Sequence, residues 1–305
     1  MAATHHTFEK DGIIYDQLTA GDLSIAVARR GAELISLRQG EMGFLYRDGL
    51  TDKPAAGWAN HATVMGYFLH RLWKEESVYR GQAIRSGNHG FIRHFVFDPP
   101  AFDAAAGSLT YEVQPERIPP EAYPLKVRLR LAYRLAGGRL TVEFHFINEE
   151  AELDAHVSFG LHPGFAVASV QTARVEFPAG TYLRHLAPGN FLDGQIEPVA
   201  HAGGEMPFDK ALLPGSFLLE LSQVPERTFV LSDPETGRRV TLDFAEVPYL
   251  TVWSEGADYI CIEPCWGLPD SNPPAPFEQK AGIEKISAGA ALIRAFAIAP
   301  EQIKG

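Results

Sequence analysis

Apolar and polar residues alternate along much of the chain, as they do in β-strands that bury one face. The clearest run is 125–135, where every second residue is apolar and most residues between them are Lys or Arg. Gly137-Gly138 follows, and two glycines are typical of a tight hairpin turn. A second alternating run at 140–147 completes the pattern. The sequence therefore predicts an antiparallel hairpin here.

The two glycines also set the register of this hairpin if they form the centre of its turn. On the opposite face Arg130 then lies across from His145 and diagonal to Glu143, so we expect that face to be polar or exposed to solvent. On the apolar face the predicted cross-strand pairs are Leu135–Leu140, Tyr133–Val142, Leu131–Phe144 and Leu129–Phe146.

Similar short runs recur through the rest of the chain, separated by turn signals such as Asp98-Pro99-Pro100. Helical periodicity is limited to short pieces at 57–66 and 203–212, and no βαβ alternation, repeat or linker is found. We therefore expect a mainly β, antiparallel protein with a single domain spanning residues 1–305. The further candidate strands are 23–28, 32–38, 91–97, 108–114, 172–177, 217–221, 228–231, 240–244, 249–253, 259–263 and 290–299.

The composition is that of a globular protein, since 46% of the 305 residues are hydrophobic and 21% are charged. The formal net charge of −11 should repel phosphate backbones and anionic lipids, so we expect neither nucleic acid nor a membrane as partner. Cys261 and Cys265 are too few for a disulfide framework and are not at zinc-binding spacing. With no secretory signal or long apolar run, these features predict a cytoplasmic protein.

Familiar catalytic signatures are absent, because the sequence has no GxGxxG, GxxxxGK[ST], HExxH or GxSxG motif. The candidate chemistry instead lies in histidines, arginines and carboxylates. His162, in Phe159-Gly-Leu-His-Pro-Gly-Phe165, follows a candidate strand at 154–159, and Pro163 is expected to end the pairing. His162 is therefore predicted at a strand exit, either as a general acid or as a structural histidine that holds a loop carbonyl.

Glu263 interrupts an apolar strand candidate and is followed at once by Pro264. An ionised carboxylate is rarely buried without a partner, so Glu263 should face a pocket, a cation or a ligand hydroxyl, and a salt bridge to an arginine is the alternative to a base. Trp266 offers either an apolar face for a sugar or a core side chain.

Two further segments combine histidine and arginine. In Gly87-Asn-His-Gly-Phe-Ile-Arg93, glycines near His89 let the backbone approach a ligand, and Arg93 is close in sequence. His70 and Arg71 lie together in 66–72. Each segment alone also fits a hydrogen-bonded loop.

Together these segments resemble the aldose 1-epimerase, or galactose mutarotase-like, family over most of the chain. Asn88-His-Gly-Phe-Ile-Arg93 resembles the HGFAR-type motif of its bacterial LacX-like branch, and 159–165 is similar to its histidine motif. The shared order is more specific than any single motif. The other matching segments are Gly31-Ala-Glu-Leu-Ile-Ser-Leu37, Pro248-Tyr-Leu-Thr-Val-Trp-Ser254, Cys261-Ile-Glu-Pro-Cys-Trp-Gly267 and Gly282-Ile-Glu-Lys-Ile-Ser-Ala-Gly289.

The resemblance implies an antiparallel β-supersandwich and an isomerase that interconverts the α and β anomers of a free aldose, with no cofactor or metal. His162 would donate a proton to the ring oxygen, and Glu263 would take the proton of the anomeric hydroxyl. His89 and Arg71 would hold sugar oxygens. Opening a pyranose requires one proton to be added and another removed, and a histidine and a glutamate suffice for both.

Further sugar contacts are predicted at His70, Arg93 and Trp266. The family's Asn-Arg pair is replaced here by His70-Arg71, and the first arginine of that motif by Tyr67, which leaves the sugar open. Asp209 is a weak counterpart of an aspartate that contacts sugar hydroxyls in galactose mutarotases.

Three alternatives remain at this point. A hexose 6-phosphate 1-epimerase would need additional cations, for which Arg85 and Arg93 are the candidates. A non-catalytic sugar-binding or regulatory protein could keep the same pocket. A polysaccharide lyase or hydrolase is a weaker option, because two carboxylates spaced for glycoside hydrolysis are not evident. A monomer and a homodimer fit the sequence equally.

Overall fold

The computed structural model describes residues 2–49, 57–256 and 258–303. Within these ranges the chain is built from β-strands, which confirms the mainly β fold predicted from the alternation. In chain order the strands are β1 (Thr4–Lys10), β2 (Ile13–Ala20), β3 (Leu23–Ala28), β4 (Glu33–Gln39), β5 (Met42–Gly43), β6 (Ala62–Met65), β7 (Glu76–Tyr79), β8 (Gln82–Arg85), β9 (Ala101–Asp103), β10 (Ser108–Val113), β11 (Val127–Ala136), β12 (Arg139–Asn148), β13 (Ala155–Val157), β14 (Phe159–Ala166), β15 (Arg174–Phe177), β16 (Gly180–His185), β17 (Ile196–His201), β18 (Gly204–Glu205), β19 (Phe217–Gln223), β20 (Thr228–Asp233), β21 (Arg238–Asp243), β22 (Tyr249–Trp253), β23 (Tyr259–Trp266), β24 (Glu284–Ile286) and β25 (Ala291–Gln302).

Helical structure in the described residues is limited to short 3-10 helices. The two stretches with helical periodicity form no α-helix, since 57–66 contains β6 and 203–212 ends within a 3-10 helix. No helix in the described chain combines the length and apolarity needed to cross a membrane. The 3-10 helices are Trp73–Glu75, Ile92–His94, Pro115–Arg117, Pro188–Asn190, Lys210–Gly215 and Phe277–Gln279.

Two large antiparallel sheets form the body of the fold. One has nine strands in the order β18-β15-β20-β21-β25-β12-β11-β10-β9, and the other has seven in the order β17-β16-β19-β22-β23-β14-β6. A five-stranded sheet, β1 to β5, lies at the beginning of the chain, and β13–β24 and β7–β8 are two-stranded sheets. Residues far apart in sequence therefore become neighbours in the seven-stranded sheet.

Aromatic side chains join the two large sheets. The rings of Phe144 and Phe146 on β12 lie 5.0 and 4.7 Å from the ring of Phe159 on β14, measured between centroids. Trp266 of β23 stacks on the same phenylalanine at 5.1 Å. These residues belong to a cluster of buried apolar side chains that includes both sheets, and the burial of this cluster holds the sheets together.

The predicted hairpin is formed by β11 and β12, and its register is confirmed. Leu135 pairs with Leu140, the other three apolar pairs follow as expected, and their side chains are buried. Arg130 lies opposite His145 on the other face, and its Nε is 2.6 Å from Oε2 of Glu112 on β10. Charged side chains thus occupy the face that was expected to be polar.

Most other candidate strands are present, and β3 and β22 have the predicted bounds. The candidate at 91–97 is wrong, because Ile92–His94 forms a 3-10 helix and only Val96 of this segment makes a strand bridge. Gly90 explains the difference: its φ is +77°, and a Cβ there would lie 2.2 Å from the carbonyl oxygen of Gly66. This close approach of two backbones replaces a regular ladder.

One row of cross-strand neighbours contains both residues proposed for catalysis. Thr63 on β6 pairs with His162 on β14, and Glu263 on β23 pairs with Thr251 on β22. The predicted strand exit at His162 is wrong, since His162 lies in the middle of β14 and Pro163 continues the pairing. Neighbouring strands on both sides hold β14 in place, so the proline does not end it.

Candidate active site

His162 and Glu263 lie side by side on adjacent strands. In the register of β14 and β23, Gly160 pairs with Cys265 and Gly164 pairs with Cys261, so His162 and Glu263 lie opposite each other between these two pairs. Nε2 of His162 is 3.3 Å from Oε1 of Glu263. His162 is 7% exposed and Glu263 1%, which places both reactive groups in a nearly dry environment. Two distant segments of the chain are thus brought together as the sequence predicted.

Burial determines the charge of this pair. It lowers the pKa of His162 to about 3 and raises the pKa of Glu263 well above its usual value of 4.5. The positive charge of Arg93 is a smaller contribution to this lowered pKa of His162. Both groups therefore favour their uncharged forms at neutral pH, and the pair carries one dissociable proton. Oε2 of Glu263 is buried without a hydrogen-bond partner in the described chain, so it is free to meet a ligand hydroxyl.

A cavity of about 290 Å³ opens over the pair. Six of the eight candidate residues line it, while the other two lie elsewhere. The six are His70, Arg71, His89, Arg93, His162 and Glu263. Polar residues that the sequence did not single out also line it, namely Asn60, Thr63, Asn88, Asn190, Ser216 and Thr251. A cavity of this size, with many hydrogen-bonding groups, can hold a small polyhydroxylated molecule.

His70 and His89 lie beside the catalytic pair, and both have a left-handed backbone conformation. Their φ angles are +58° and +64°, and the N–H of His89 donates to the carbonyl oxygen of His70 at 2.7 Å. The N–H of His70 in turn donates to Nδ1 of His89 at 3.3 Å. Burial lowers the pKa of His70 to about 3 and that of His89 well below 6.5. Both imidazoles are therefore neutral, and each can donate and accept a hydrogen bond.

Two tryptophans form a wall of the site. Trp58 stacks on the ring of His162 at 5.0 Å with an angle of 27°, and Trp253 meets the same ring edge-on at 5.6 Å. A Cβ at Gly164 would lie 2.3 Å from Trp58, so the glycine makes room for the indole. Sequence reasoning missed Trp58 and left Trp253 open. Gly164, two residues beyond His162 and therefore on the same strand face, was the available signal.

Trp266 does not serve as a wall for a sugar, and that prediction is wrong. It is fully buried among aromatic residues of the core and does not line the cavity. The physical reason is strand alternation: Trp266 is three residues from Glu263, so the two side chains point to opposite faces of β23. Cys261 and Cys265 are at even spacing from Glu263 and share its face.

Asp209 and Arg85 also lie away from the cavity. Asp209 caps the 3-10 helix Lys210–Gly215 and accepts a hydrogen bond from the N–H of Ala211 at 2.9 Å, so its assignment to the sugar site is wrong. Short polar side chains commonly take this capping position. Arg85 is exposed on β8 and pairs with Glu76 at 2.7 Å. Of the two cations considered for a phosphate, only Arg93 lines the cavity.

Among the described residues, one group has the side-chain types of a metal site: the ligand atoms of His162, Cys261 and Glu263 lie within 4.8 Å of one another. Two of these three residues are the candidate acid and base. Burial raises the pKa of the Cys261 thiol well above 9.0, which favours the thiol over the thiolate that metals bind. Independence from a metal stays a prediction.

Comparison with known proteins gives a family match and a fold match. A family model described as aldose 1-epimerase matches residues 17–288. The chromosomal LacX protein of Lactococcus lactis subsp. lactis is 24% identical over 232 residues, which cover 70% of this chain and 76% of that protein.

Solved structures show the same fold at low identity. A galactose mutarotase related enzyme from Lactobacillus acidophilus has a TM-score of 0.83 and 21% identity, covering 99% of this chain and 100% of that one. A galactose mutarotase-like protein from Lactobacillus casei has a TM-score of 0.80 and 23% identity, covering 98% and 100%. A galactose 1-epimerase from Lactobacillus acidophilus has a TM-score of 0.74 and 14% identity, covering 99% of both chains. The fold is therefore the antiparallel β-supersandwich of galactose mutarotase-like proteins.

Proposed function

Because the chain belongs to the aldose 1-epimerase family, we propose that it interconverts the α and β anomers of a free aldose, that is, one whose anomeric hydroxyl is unsubstituted. The observation that carries the proposal is the 3.3 Å approach of Nε2 of His162 to Oε1 of Glu263 at the base of a cavity. An acid and a base that share one proton beside one cavity are what hemiacetal opening requires.

The single proton of the pair supports the division of roles. When the anomeric hydroxyl donates to Glu263, it favours the carboxylate, and the proton of the pair then resides on His162. Glu263 removes the anomeric proton while His162 protonates the ring oxygen, so the bond between the ring oxygen and C1 breaks and an open-chain aldehyde forms. After rotation about the C1–C2 bond, the two groups reverse their roles, and the ring closes on the other face of the carbonyl.

The remaining cavity residues hold the sugar during this rotation. His70, Arg71, His89 and Arg93 present donors to sugar oxygens around the pair. Holding the rest of the carbon chain in place while only C1 rotates keeps the hydroxyl that formed from the ring oxygen near the carbonyl. Ring closure is then favoured over release of the open-chain aldehyde. Trp58 and Trp253 cover the imidazole of His162 and restrict the access of water to it.

The experiment is anomer exchange, measured by NMR or polarimetry on a panel of hexoses and pentoses. We expect His162→Ala and Glu263→Gln each to lower the rate by about 10²- to 10⁴-fold, the usual contribution of one positioned acid or base. His145→Ala and Glu143→Gln are matched controls on the polar face of β12; neither residue lines the cavity, and both variants should keep the wild-type rate. Full activity in both cavity variants would refute the roles.

The alternatives give different outcomes in the same experiment. Saturable sugar binding without anomer exchange would identify a binding or regulatory protein. Glycoside hydrolysis by paired carboxylates is disfavoured, because Glu263 is the one Asp or Glu among the described residues that line the cavity.

A further inference from the structure

The lining of the cavity consists of strand residues and loop residues. His162 and Glu263 lie on strands of the seven-stranded sheet, whose ladder hydrogen bonds fix their positions. His70, Arg71 and Asn190 also line the cavity but lie outside the strands. A side chain outside a strand can bind a sugar in a defined geometry only if other contacts hold its backbone in place. The structure therefore has to supply such contacts for the loop part of the lining.

Asp270 provides contacts of this kind. Its N–H donates to the carbonyl oxygen of Arg71 at 3.0 Å, and its carbonyl oxygen accepts from the N–H of Leu192 at 2.8 Å. Oδ2 of its side chain accepts from the N–H of Trp73 at 2.9 Å, and Oδ1 accepts from Nζ of Lys280 at 2.9 Å. All the polar groups of Asp270 are therefore used, in hydrogen bonds to three different segments of the chain.

These segments carry residues of the cavity lining. Arg71 lines the cavity, and Asn190 lines it two residues before Leu192. Pro269, which also lines the cavity, directly precedes Asp270. Asp270 itself is 1% exposed and does not line the cavity. It thus joins the loop residues of the lining from outside the cavity.

The ion pair between Asp270 and Lys280 is almost completely buried, since the two side chains are 0% and 1% exposed. Burial lowers the pKa of Lys280, and the negative charge of Asp270 opposes this shift. Desolvation of both charges offsets most of their attraction, so such a pair adds little net stability over apolar side chains. Stability alone does not account for it, whereas its hydrogen bonds fix the relative positions of several segments.

The carboxylate of Asp270 faces a donor on each of its two oxygens, the ammonium group of Lys280 and the N–H of Trp73. An asparagine of the same shape has one acceptor atom and one donor group. It would satisfy one of these two donors and oppose the other. The connection between Lys280, Asp270 and the Arg71 segment therefore depends on a carboxylate at this position.

We propose that Asp270 is a positioning residue, whose carboxylate, fixed by Lys280, holds the backbone around Arg71 and Asn190 so that their side chains bind sugar hydroxyls. This inference rests on the proposed function, because it takes a sugar as the ligand. The catalytic pair is held by β14 and β23 and does not contact Asp270. A change at Asp270 should therefore affect the binding of the sugar more than the reaction of the bound sugar.

The first test separates KM from kcat in the anomer exchange of D-glucose, D-galactose and D-xylose, measured by NMR. We expect Asp270→Asn to raise KM by about 10-fold, the effect of weakening a hydrogen bond from a charged group, and to change kcat by less than about 3-fold. A fall in kcat with unchanged KM would overturn the inference.

Two double variants show whether the acceptor for Trp73 is what matters. Asp270→Asn combined with Lys280→Met removes the ammonium group, so the amide oxygen can face the N–H of Trp73, and KM should return to within about 3-fold of wild type. Asp270→Leu combined with Lys280→Met leaves neither an acceptor nor an unpaired charge, and it should raise KM by about 10-fold. Because its buried pair is apolar, this variant should fold even if Asp270→Asn does not. Equal KM values in the two double variants would contradict the proposal.

Asp16→Asn is the matched control for the loss of a buried carboxylate. Asp16 is fully buried, pairs with Arg29 at 2.8 Å and does not line the cavity. This variant should lower the free energy of unfolding, as Asp270→Asn does, but leave KM unchanged. A similar rise in KM in both variants would show that lost stability is the cause.

A double-mutant cycle with Arg71 identifies what Asp270 positions. In the Arg71→Met protein, adding Asp270→Asn should raise KM by no more than about 3-fold, because the guanidinium group that it positions is already absent. A rise of about 10-fold in both backgrounds would mean that the two residues act independently, which the proposal excludes.

Hydrogen–deuterium exchange tests the positioning without any sugar. In Asp270→Asn, the amides of 70–73 and 187–192 should exchange faster, whereas those of β14 and β23 should keep their wild-type protection. Unchanged exchange in the two loop segments, or faster exchange throughout the chain, would refute the positioning role. If no sugar exchanges its anomers but this local change occurs, the proposed function fails and the positioning role of Asp270 stands.

Discussion

Apart from the acid–base pair, Thr63 is the cavity residue whose surroundings most clearly indicate a contact with a ligand. Its Oγ1 is buried without a hydrogen-bond partner among the described residues, and it lines the cavity beside His162. Thr251, on the other side of the pair, has nearby partners instead, because its Oγ1 lies 3.4 Å from Nε2 of His70. An unsatisfied buried hydroxyl is costly, so we infer that a sugar oxygen satisfies the one on Thr63.

We therefore expect Thr63→Val, which keeps the shape of the side chain, to raise KM by about 3- to 10-fold with little change in kcat, the effect of losing one hydrogen bond to a neutral group. Thr63→Ser should restore the wild-type KM, because it returns the hydroxyl. Steady-state anomer exchange measures both constants. A fall in kcat alone, or no recovery in the serine variant, would show that the threonine acts through packing instead.

At the scale of the element, β14 and β23 form the rigid part of the site. Both strands are almost wholly buried, and each projects one member of the catalytic pair toward the cavity. Glycine at Gly164 lets the indole of Trp58 lie against β14 and cover His162. The strand thus sets the position of the imidazole and of its cover together.

Gly164→Ala tests this arrangement. Its Cβ would lie 2.3 Å from Trp58, so the indole must move away from His162. We expect a loss of about 10- to 100-fold in kcat/KM, as small displacements at a reacting centre produce, and a change in tryptophan fluorescence. Gly87→Ala is the matched control, since a Cβ there meets nothing within 4 Å, and it should retain wild-type rate and fluorescence. A fully active Gly164→Ala protein would contradict the role of Trp58.

At the scale of the whole molecule, the cavity concentrates buried titratable groups that couple stability to pH. Folding lowers the pKa of His70, His89 and His162, so the unfolded chain binds their protons more readily. Stability from such groups is present above the unfolded pKa of about 6.5 and is lost as pH falls toward the folded pKa. Glu263 has a raised pKa and acts in the opposite sense, because its contribution is lost as pH rises through the folded value.

We expect the free energy of unfolding to decrease as pH is lowered from 7 to 4.5, by about 1.4 kcal/mol per pH unit for each histidine that remains neutral in the folded protein. Glu263 offsets part of this loss. Urea unfolding at a series of pH values measures the slope. His70→Gln should make it shallower, whereas Glu263→Gln should make it steeper and raise the stability at pH 7. A free energy independent of pH over this range would contradict the linkage.

The sequence by itself determined the β class and the hairpin register of β11 and β12, whereas the His162–Glu263 pair was an expectation from the family resemblance. Alternation is local: side chains point to opposite faces with a period of two, so a run of residues specifies its own buried face. The same rule would have turned Trp266 away from the sugar, because it lies three residues from Glu263. These features could be read without knowing which strands are neighbours.

Only the tertiary structure decided what surrounds the pair. Trp58 covers His162 and Thr63 lies beside it because β6, β14 and β23 are adjacent in one sheet, and no local pattern specifies that order. The absence of a carboxylate partner for Arg93 among the described residues is likewise a property of the whole cavity, since it depends on where every nearby acidic residue lies. A chain sets the chemistry of its side chains locally, whereas distances between remote segments arise from how the sheets pack.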